Sequence, residues 1–180
     1  MEIKKNHSDS LLFFRMGDFY ELFFEDAYLA SDILNITLTK RGKLDGKDIP
    51  MCGVPHHSSE KYMELLIKKG INIAICEQTE TPDQAKKRGY KAIVNREVVR
   101  IITPGTILED NLIGLKTNNF LLSVNDVRGD TSISWVDIST GKVSTLSTTI
   151  EKVTSLIARI NPSEVIVSNS YVEKTKINLN

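Results

Sequence analysis

An aromatic segment that contains one carboxylate lies between residues 13 and 23, which read FFRMGDFYELF. Phe19 and Glu21 place a large apolar ring two positions from a hydrogen-bonding group, at the predicted entry to a helix. Core packing is the competing interpretation. Asp18 and Glu21 have the spacing of a helix capping box, and Phe19 and Phe23 lie on one face of a helix. Taken alone, the segment favours packing, because aromatic residues at helical spacing usually belong to a core.

Hydrolytic and metal-dependent chemistry has little support elsewhere in the chain. The sequence contains no GxSxG elbow, HExxH helix or paired-carboxylate signature. Residues 42–48, GKLDGKD, have three rather than four residues between the glycines and an aspartate after the lysine, so they do not fit a phosphate loop. Cys52, His56 and His57 lack a fourth metal ligand nearby and are interpreted as a buried thiol and turn residues. We therefore predict neither catalytic residues nor a metal site.

Asp137 leaves one enzymatic alternative open. It lies on a predicted strand in a meander that is followed by a helix, and RNase H-like nucleases begin in the same order. Such catalysis needs a cluster of acids around two metal ions, whereas Asp126 and Asp130 are near Asp137 only in sequence. A plain interaction module, whose aromatic residues all pack in a core, is a second alternative.

Basic residues form two local clusters in a chain whose 23 basic and 23 acidic residues give a formal net charge of zero. The clusters are Lys40, Arg41, Lys43 and Lys47, and then Lys86, Lys87, Arg88, Lys91, Arg96 and Arg100. A neutral chain does not bind nucleic acid by bulk charge, so a nucleic-acid site would have to be local. The clusters fit a phosphate-binding track and a solvated loop about equally.

The elements that position these residues indicate an α/β first part. Strand patterns at 11–16, 36–39, 49–54, 71–76 and 98–103 alternate with helix patterns that begin at Asp18 and at Ser58 or Ser59. The basic stretch 40–48 is predicted to be a loop, and residues 81–95 an exposed excursion. With 41% apolar residues the chain can build a core for one ordinary domain or two small ones.

The second part has a different pattern. Alternating strands at 118–127, 131–138 and 142–147 form a predicted antiparallel meander, followed by a helix at 149–160, a strand at 164–167 and a polar tail. We predict a first domain at 1–107, a linker at 108–115 and a second domain at 116–180 that is cut short.

Cellular location is predicted from what the sequence lacks. Cys52 and Cys76 are far apart and have no CxxC spacing, which favours a reducing cytosol over a disulfide framework. No stretch approaches the roughly 18 apolar residues of a membrane span, and residues 1–10 do not have the pattern of a signal peptide. A cytoplasmic protein without a membrane partner is expected.

Five segments together resemble the bacterial MutS family of mismatch-repair proteins. They are FFRMGDFYELF at 13–23, LTKRG at 38–42, IPMCGVPHH at 49–57, AICEQ at 74–78 and VVRIITPGT at 98–106, and WVDISTG at 135–141 is a looser match. The resemblance implies a mixed-sheet mismatch-recognition domain followed by an incomplete connector domain with an RNase H-like fold. It also implies a function, which is to bind mismatched or unpaired bases in duplex DNA and so initiate repair.

The family's mechanism implies a role for individual residues. Phe19 would enter the minor groove as a wedge and stack on a mispaired base, and Glu21 would hydrogen-bond to a base edge. We expect Glu21 to have a raised pKa beside DNA, because burial near negative charge favours the neutral acid. Met16, Arg41 and Arg96 match further DNA-contacting positions.

The family's remaining properties would require parts that are absent from these 180 residues. Those parts hold ATP and Mg²⁺, form a homodimer and work with the downstream repair protein MutL. We therefore expect no cofactor in the chain and no ATP hydrolysis by it.

Overall fold

The computed structural model describes residues 2–89, 92–106 and 118–175, and the chain divides into two compact units, Met1–Thr103 and Pro104–Asn180. The predicted linker at 108–115 and Lys91 lie outside the described residues. Among the described residues, no helix combines the length and the apolar character that a membrane span requires.

The first unit consists of a six-stranded sheet and short helices. Its elements are α1 (Glu2–Lys5), β1 (Ser10–Met16), β2 (Phe19–Phe23), α2 (Glu25–Leu34), β3 (Thr39–Leu44), β4 (Lys47–Pro55), a 3-10 turn (His56–Ser58), α3 (Ser59–Ile67), β5 (Asn72–Gln78), α4 (Pro82–Arg88) and β6 (Arg96–Ile102). The strand order is β3-β4-β2-β1-β5-β6, in which β1 and β5 are parallel and the other neighbours antiparallel. The sheet is therefore mixed, as predicted.

The two faces of this sheet differ in burial. Successive side chains of a strand point to opposite faces. On one face, Phe13 and Leu22 are fully buried beside Val54 and Ile73. On the other face, which we call the open face, β1 and β2 contribute Phe14, Met16, Phe19, Glu21 and Phe23. The residues singled out in the sequence therefore lie on the less buried side of the sheet.

The helix predicted from Asp18 onwards begins later than expected. Phe19–Phe23 is strand β2, and the helix runs from Glu25 to Leu34. The Asp18–Glu21 capping box is therefore wrong. The apolar positions of the pattern combined two elements: Ala27, Ala30 and Leu34 are the buried face of α2, while the earlier aromatic residues follow the two-residue period of a strand.

Two other segments of the first unit are more ordered than predicted. The stretch 40–48 is a hairpin rather than a loop, because Asp45 and Gly46 adopt φ of 50° and 78° and connect β3 to β4. The stretch 81–95 contains α4, whose first turn has a capping box formed by Thr81 and Gln84 and a proline at its start. The separate strand predicted at 36–39 is instead the approach to β3.

The second unit is built on a four-stranded sheet. Its elements are β7 (Phe120–Val127), β8 (Asp130–Asp137), β9 (Lys142–Thr148), α5 (Ile150–Ile160), β10 (Glu164–Ile166) and α6 (Asn169–Thr175). The order is β10-β7-β8-β9, with an antiparallel meander and a parallel β10. Leu122, Ile133 and Val153 are at its core. The meander, α5 and β10 follow the prediction, whereas Asn169–Thr175, within the segment predicted as a polar tail, forms α6 and buries Tyr171.

Candidate nucleic-acid interface

Phe19 is presented by a tight hairpin between β1 and β2. Met16 pairs with Phe19, so that only Gly17 and Asp18 form the turn, and Gly17 has a φ of 61° that favours glycine. The Asp18 carbonyl accepts a hydrogen bond from the His56 backbone N–H at 2.8 Å. Phe19 nevertheless remains 47% exposed. An apolar ring is thus held at the surface by a backbone that is fixed from two sides.

Tyr20 anchors the same strand from the opposite face. Its hydroxyl donates a hydrogen bond to Glu77, and its ring lies 5.8 Å from that of Phe13 and 5.3 Å from that of His56. Burial, more than the nearby Glu77 carboxylate, raises the pKa of Tyr20, so its hydroxyl stays protonated. The guanidinium of Arg15 lies 5.5 Å from the centre of the Tyr20 ring. The strand beneath Phe19 is therefore well fixed.

Glu21 is a buried carboxylate on the open face. It is opposite Phe14 on β1 and Gly53 on β4, and its side chain is 8% exposed. Arg41 donates a hydrogen bond to Oε1, whereas Oε2 is buried and has no hydrogen-bond partner among the described residues. Burial raises the pKa of Glu21, and the positive charges of Arg41 and Arg96 oppose that rise. The carboxyl group therefore has unused hydrogen-bonding capacity.

Arg41 extends to Glu21 from the edge of the sheet. It lies on β3, where the pairing with β4 is irregular between Lys40 and Lys43. Every residue of β3 is exposed, and the side chain of Arg41 is 49% exposed. One side of the guanidinium thus faces Glu21, while a large part of the side chain is accessible to solvent.

Arg96 is held more firmly than Arg41. Its Nε donates to the Arg15 carbonyl at 2.9 Å and its Nη1 to the Val94 carbonyl at 3.0 Å. Its guanidinium also lies 5.1 Å from the centre of the Phe14 ring, within cation–π range. Arg15 in turn donates from Nε to the Gly17 carbonyl at 2.5 Å. Arg96 is therefore linked through Arg15 to the turn that precedes Phe19.

Met16 completes the group of predicted site residues. It is directly opposite Phe19 in the β1–β2 pairing, so the two side chains are cross-strand neighbours on the open face. The structure thus places Met16, Phe19, Glu21, Arg41 and Arg96 in one unit, with Arg41 in contact with Glu21 and Arg96 near enough to affect its pKa.

Family profiles match both parts of the chain. The profile of MutS domain I matches residues 1–111, and the profile of MutS domain II matches residues 119–179. The chain belongs to the MutS family. The resemblance seen in the sequence is therefore confirmed, and the α/β prediction of a recognition domain followed by a connector domain agrees with the two matches and with the two mixed sheets.

Individual MutS relatives show the same similarity. Proteins named DNA mismatch repair protein MutS from Wolbachia pipientis wMel and Ehrlichia chaffeensis are 51% and 52% identical over 177 residues, or 98% of this chain. The protein of the same name from Ruegeria pomeroyi is 51% identical over 172 residues, or 96% of this chain. These alignments cover 21%, 21% and 20% of the relatives, so the chain spans about a fifth of their length.

The basic clusters of this MutS chain are partly neutralised by acids. Lys40 pairs with Asp48 at 2.6 Å, and Lys86 pairs with Asp83 at 3.2 Å. Arg88 pairs with Glu80, which also accepts a hydrogen bond from the Asn95 backbone N–H at 2.7 Å. These contacts of Glu80 join the two ends of the segment that contains α4. The second cluster therefore contains a structural contact as well as exposed cations.

Asp137, the residue on which the nuclease alternative depends, forms hydrogen bonds within the second unit. It accepts hydrogen bonds from the Ser139 hydroxyl at 2.7 Å and from the Ser139 backbone N–H at 3.1 Å. These bonds lower the pKa of Asp137. The described part of the chain holds no group of three or more potential metal ligands. Asp126 pairs with Lys174 at 2.7 Å and accepts a bond from Thr131.

Sequence reasoning missed the contacts that support the predicted wedge. Arg15, Tyr20 and Glu77 were not singled out as site residues, although Tyr20 lies within the Phe-x-Glu motif and Glu77 within the segment AICEQ. Tyr20 and Glu77 are 57 positions apart, so only the pairing of β1 with its neighbours brings them together. The signal was the presence of both residues in segments that resemble the MutS family.

Proposed function

We propose that this chain recognises mismatched or unpaired bases in duplex DNA, with Phe19 as a wedge and Glu21 as a hydrogen-bonding partner of a base edge, from the minor-groove side. The observation that carries the proposal is the hairpin itself. Phe19 is exposed beside the buried Glu21, two positions along the same strand and on the same face. In the cell this binding would initiate mismatch repair, the process for which the relatives are named.

A wedge of this kind selects mismatched or unpaired bases because the duplex is easier to deform there. Inserting an apolar side chain between base steps costs a few kcal/mol of stacking in normal duplex DNA, and bending a site costs on the order of 1 to 6 kcal/mol. A mispaired base is already poorly stacked, so both costs are lower there. A rigid support for Phe19 helps, because the backbone that carries the ring does not have to be ordered on insertion.

Glu21 supplies the polar part of recognition. Its Oε2 atom has no hydrogen-bond partner among the residues that the structure describes, and a buried polar atom without a hydrogen bond is costly, so a base edge that offers one is favoured. The raised pKa of Glu21 makes it easier to protonate, and the neutral acid can donate to a base nitrogen. Phosphate groups near the carboxyl would raise the pKa further.

Met16, Arg41 and Arg96 are proposed to contact the DNA around the wedge. Met16 is the direct neighbour of Phe19, and the half-exposed Arg41 is the more accessible of the two arginines. Arg96 would contact only DNA that comes close to it, because two of its nitrogen atoms already donate to carbonyls and hold the side chain in place. Basic contacts of this sort add sequence-independent affinity.

The MutS relatives are longer than this chain, and some of their activities would require the rest of a longer protein. We propose that ATP and Mg²⁺ binding, homodimer formation, the MutL partnership and the cytoplasmic location belong to that whole protein. The 180 residues contain no phosphate-loop sequence, which supports assigning ATP chemistry elsewhere.

The test compares binding to a duplex with a single unpaired T and to its fully paired twin at low salt. It uses the chain itself and a chimaera in which the chain replaces the matching segment of the Wolbachia MutS relative. Phe19→Ala should remove the preference for the defective duplex, and Tyr28→Ala, which removes an aromatic ring of similar exposure from α2, should retain it. No preference in the unsubstituted chimaera, or equal preference in both variants, would contradict the proposal.

A further inference from the structure

The ion pair between Glu21 and Arg41 is unusual in its asymmetry. Glu21 lies on the inner strand β2 and is buried, whereas Arg41 lies on the edge strand β3 and is half exposed. Arg41 contacts one carboxylate oxygen only, so the pair is not the two-pronged arrangement that arginine forms with carboxylates at its strongest. Movement of the arginine side chain alone would separate the two groups.

The local backbone of Arg41 favours such movement. Arg41 lies where the pairing of β3 with β4 shifts register, and the next residue, Gly42, has a φ of 75°. A bulged edge strand keeps fewer ladder hydrogen bonds than a central strand and can redirect a side chain. The β3–β4 hairpin also lies at one edge of the sheet.

A phosphate group would compete directly with Glu21 for Arg41. Guanidinium binds phosphate and carboxylate with the same planar donors, so a duplex that brings phosphates to the open face offers Arg41 a second partner. Once Arg41 leaves, Glu21 loses its nearest positive charge. Arg96 remains, but two of its nitrogens are already directed at the Arg15 and Val94 carbonyls.

We propose that Arg41 is a positioning residue that holds the Glu21 carboxylate in an ion pair while the chain is free of DNA and releases it by transferring its guanidinium to a phosphate when DNA binds. The proposal rests on the proposed function, because it assigns a control over the same carboxyl group. Its consequence is that Glu21 loses its nearest positive charge, and so becomes easier to protonate, only when a duplex occupies the open face.

The other groups that surround Glu21 do not provide this control. The residues opposite it, Phe14 and Gly53, carry no charge. On β5, Cys76 is opposite Phe14, and burial raises the pKa of its thiol to about 11, so it stays neutral at physiological pH. Within the described part of the chain, Arg96 on β6 is the remaining charged group that acts on Glu21. Arg41 is thus the charge that can be exchanged.

The first test measures the pKa of Glu21 in the DNA-free chain by carbon-13 NMR of its labelled carboxyl carbon. Arg41→Gln should raise that pKa, because the opposite charge that favours the ionised form is gone. Arg41→Lys should raise it less. Lys40→Gln is the matched control, since Lys40 is the neighbouring cation on β3 and pairs with Asp48 instead. An equal Glu21 pKa in Arg41→Gln and Lys40→Gln would overturn the proposal.

The second test measures how the affinity for the defective duplex changes with pH in the chimaera. If the bound form requires the neutral acid, that affinity falls as pH rises from the Glu21 pKa of the free protein to that of the complex. Arg41→Gln raises the starting pKa, so the decline should begin at a higher pH and its total fold-change should be smaller. A decline identical to that of the unsubstituted chimaera would overturn the release step.

The two tests separate failure of this inference from failure of the proposed function. If Phe19→Ala retains the preference for the defective duplex and Glu21→Gln leaves the pH dependence of the affinity for that duplex unchanged, the proposed function fails, and the release step fails with it. The NMR measurement needs no DNA and still decides whether Arg41 holds Glu21. If those two variants behave as proposed and Arg41→Gln alone has no effect on the pH dependence, only the inference fails.

Discussion

At the scale of single residues, Phe19 and Phe13 show how two phenylalanines of one motif take different roles. Phe13 is fully buried, whereas Phe19 is 47% exposed. Phe13→Ala should lower the free energy of unfolding of the first unit by about 3–5 kcal/mol, because a large core side chain leaves a cavity. Phe19→Ala should lower it by about 1 kcal/mol or less.

Urea denaturation followed by circular dichroism measures both effects. The unsubstituted chain provides the reference, and the transition of the second unit provides an internal standard, since neither phenylalanine lies in it. A loss of several kcal/mol in Phe19→Ala would mean that its ring is part of the core, as the packing interpretation of the sequence held.

Glu21 gives a second prediction at this scale. Glu21→Gln keeps the shape and a hydrogen-bond donor, so it should bind the defective duplex no worse than the unsubstituted protein if Glu21 acts as a neutral donor. Glu21→Ala removes the donor and should bind it more weakly. Competition binding to the duplex with an unpaired T measures both. Equal losses in the two variants would contradict the donor role.

At the scale of elements, Asp26 connects α2 to strand β1 of the sheet. Its carboxylate accepts a hydrogen bond from the Leu12 backbone N–H at 3.0 Å and pairs with Lys4 at 2.9 Å. Asp26→Ala leaves that partly buried N–H without its partner, which should cost about 1–3 kcal/mol of stability. Asp32→Ala, on an exposed position of the same helix, should cost much less. Urea denaturation compares the two, and equal losses would show that Asp26 contributes nothing specific.

The elements also show which part of the fold the sequence could reveal. The apolar runs of β1, β5 and β6 and the meander of the second unit were predicted, because their β-branched and alternating patterns are local signals. Strand β2 was taken for the start of a helix, because Phe19, Leu22 and Phe23 fit a helical period that continues correctly through Ala27 and Ala30. Only pairing with β1 and β4 makes these residues a strand, and pairing is not a local property.

The candidate site was predictable to a similar extent. The resemblance to the MutS family pointed to Phe19 and Glu21, and both lie on the open face. The link between Glu21 and Arg41 was not predicted, since it spans 20 positions and depends on the β3–β4 hairpin. The hairpin itself had a signal that was overlooked, the Asp45-Gly46 pair that such turns require.

At the scale of the whole molecule, the second unit should lose stability in acid. Hydrogen bonds from Ser139 lower the pKa of Asp137, and Lys174 and Thr131 lower that of Asp126. A carboxyl group whose pKa is lowered in the folded state stabilises it above the unfolded pKa, and that contribution is lost as pH falls through the folded pKa. Glu21 in the first unit has a raised pKa, so its contribution to the stability of the folded state decreases as the pH rises.

Trp135 makes this prediction measurable. It is the single tryptophan of the chain and lies on β8, so its fluorescence reports unfolding of the second unit. Urea transitions should shift to lower urea as the pH falls below the ordinary aspartate pKa of about 4, and less so in Asp137→Asn. Salt should weaken the contribution of Asp126, which pairs with Lys174, more than that of Asp137. An unchanged pH dependence in Asp137→Asn would contradict the prediction.

The most direct test of the central claim, that Phe19 enters the base stack at a defect, measures unstacking at the defect itself. A 2-aminopurine base is placed beside a single unpaired T, since its fluorescence increases when it loses its stacked neighbours. The chimaera should raise this fluorescence on the defective duplex and leave it unchanged on the paired twin. Phe19→Ala should abolish the rise, and Tyr28→Ala should preserve it. A rise of equal size in Phe19→Ala would contradict the wedge.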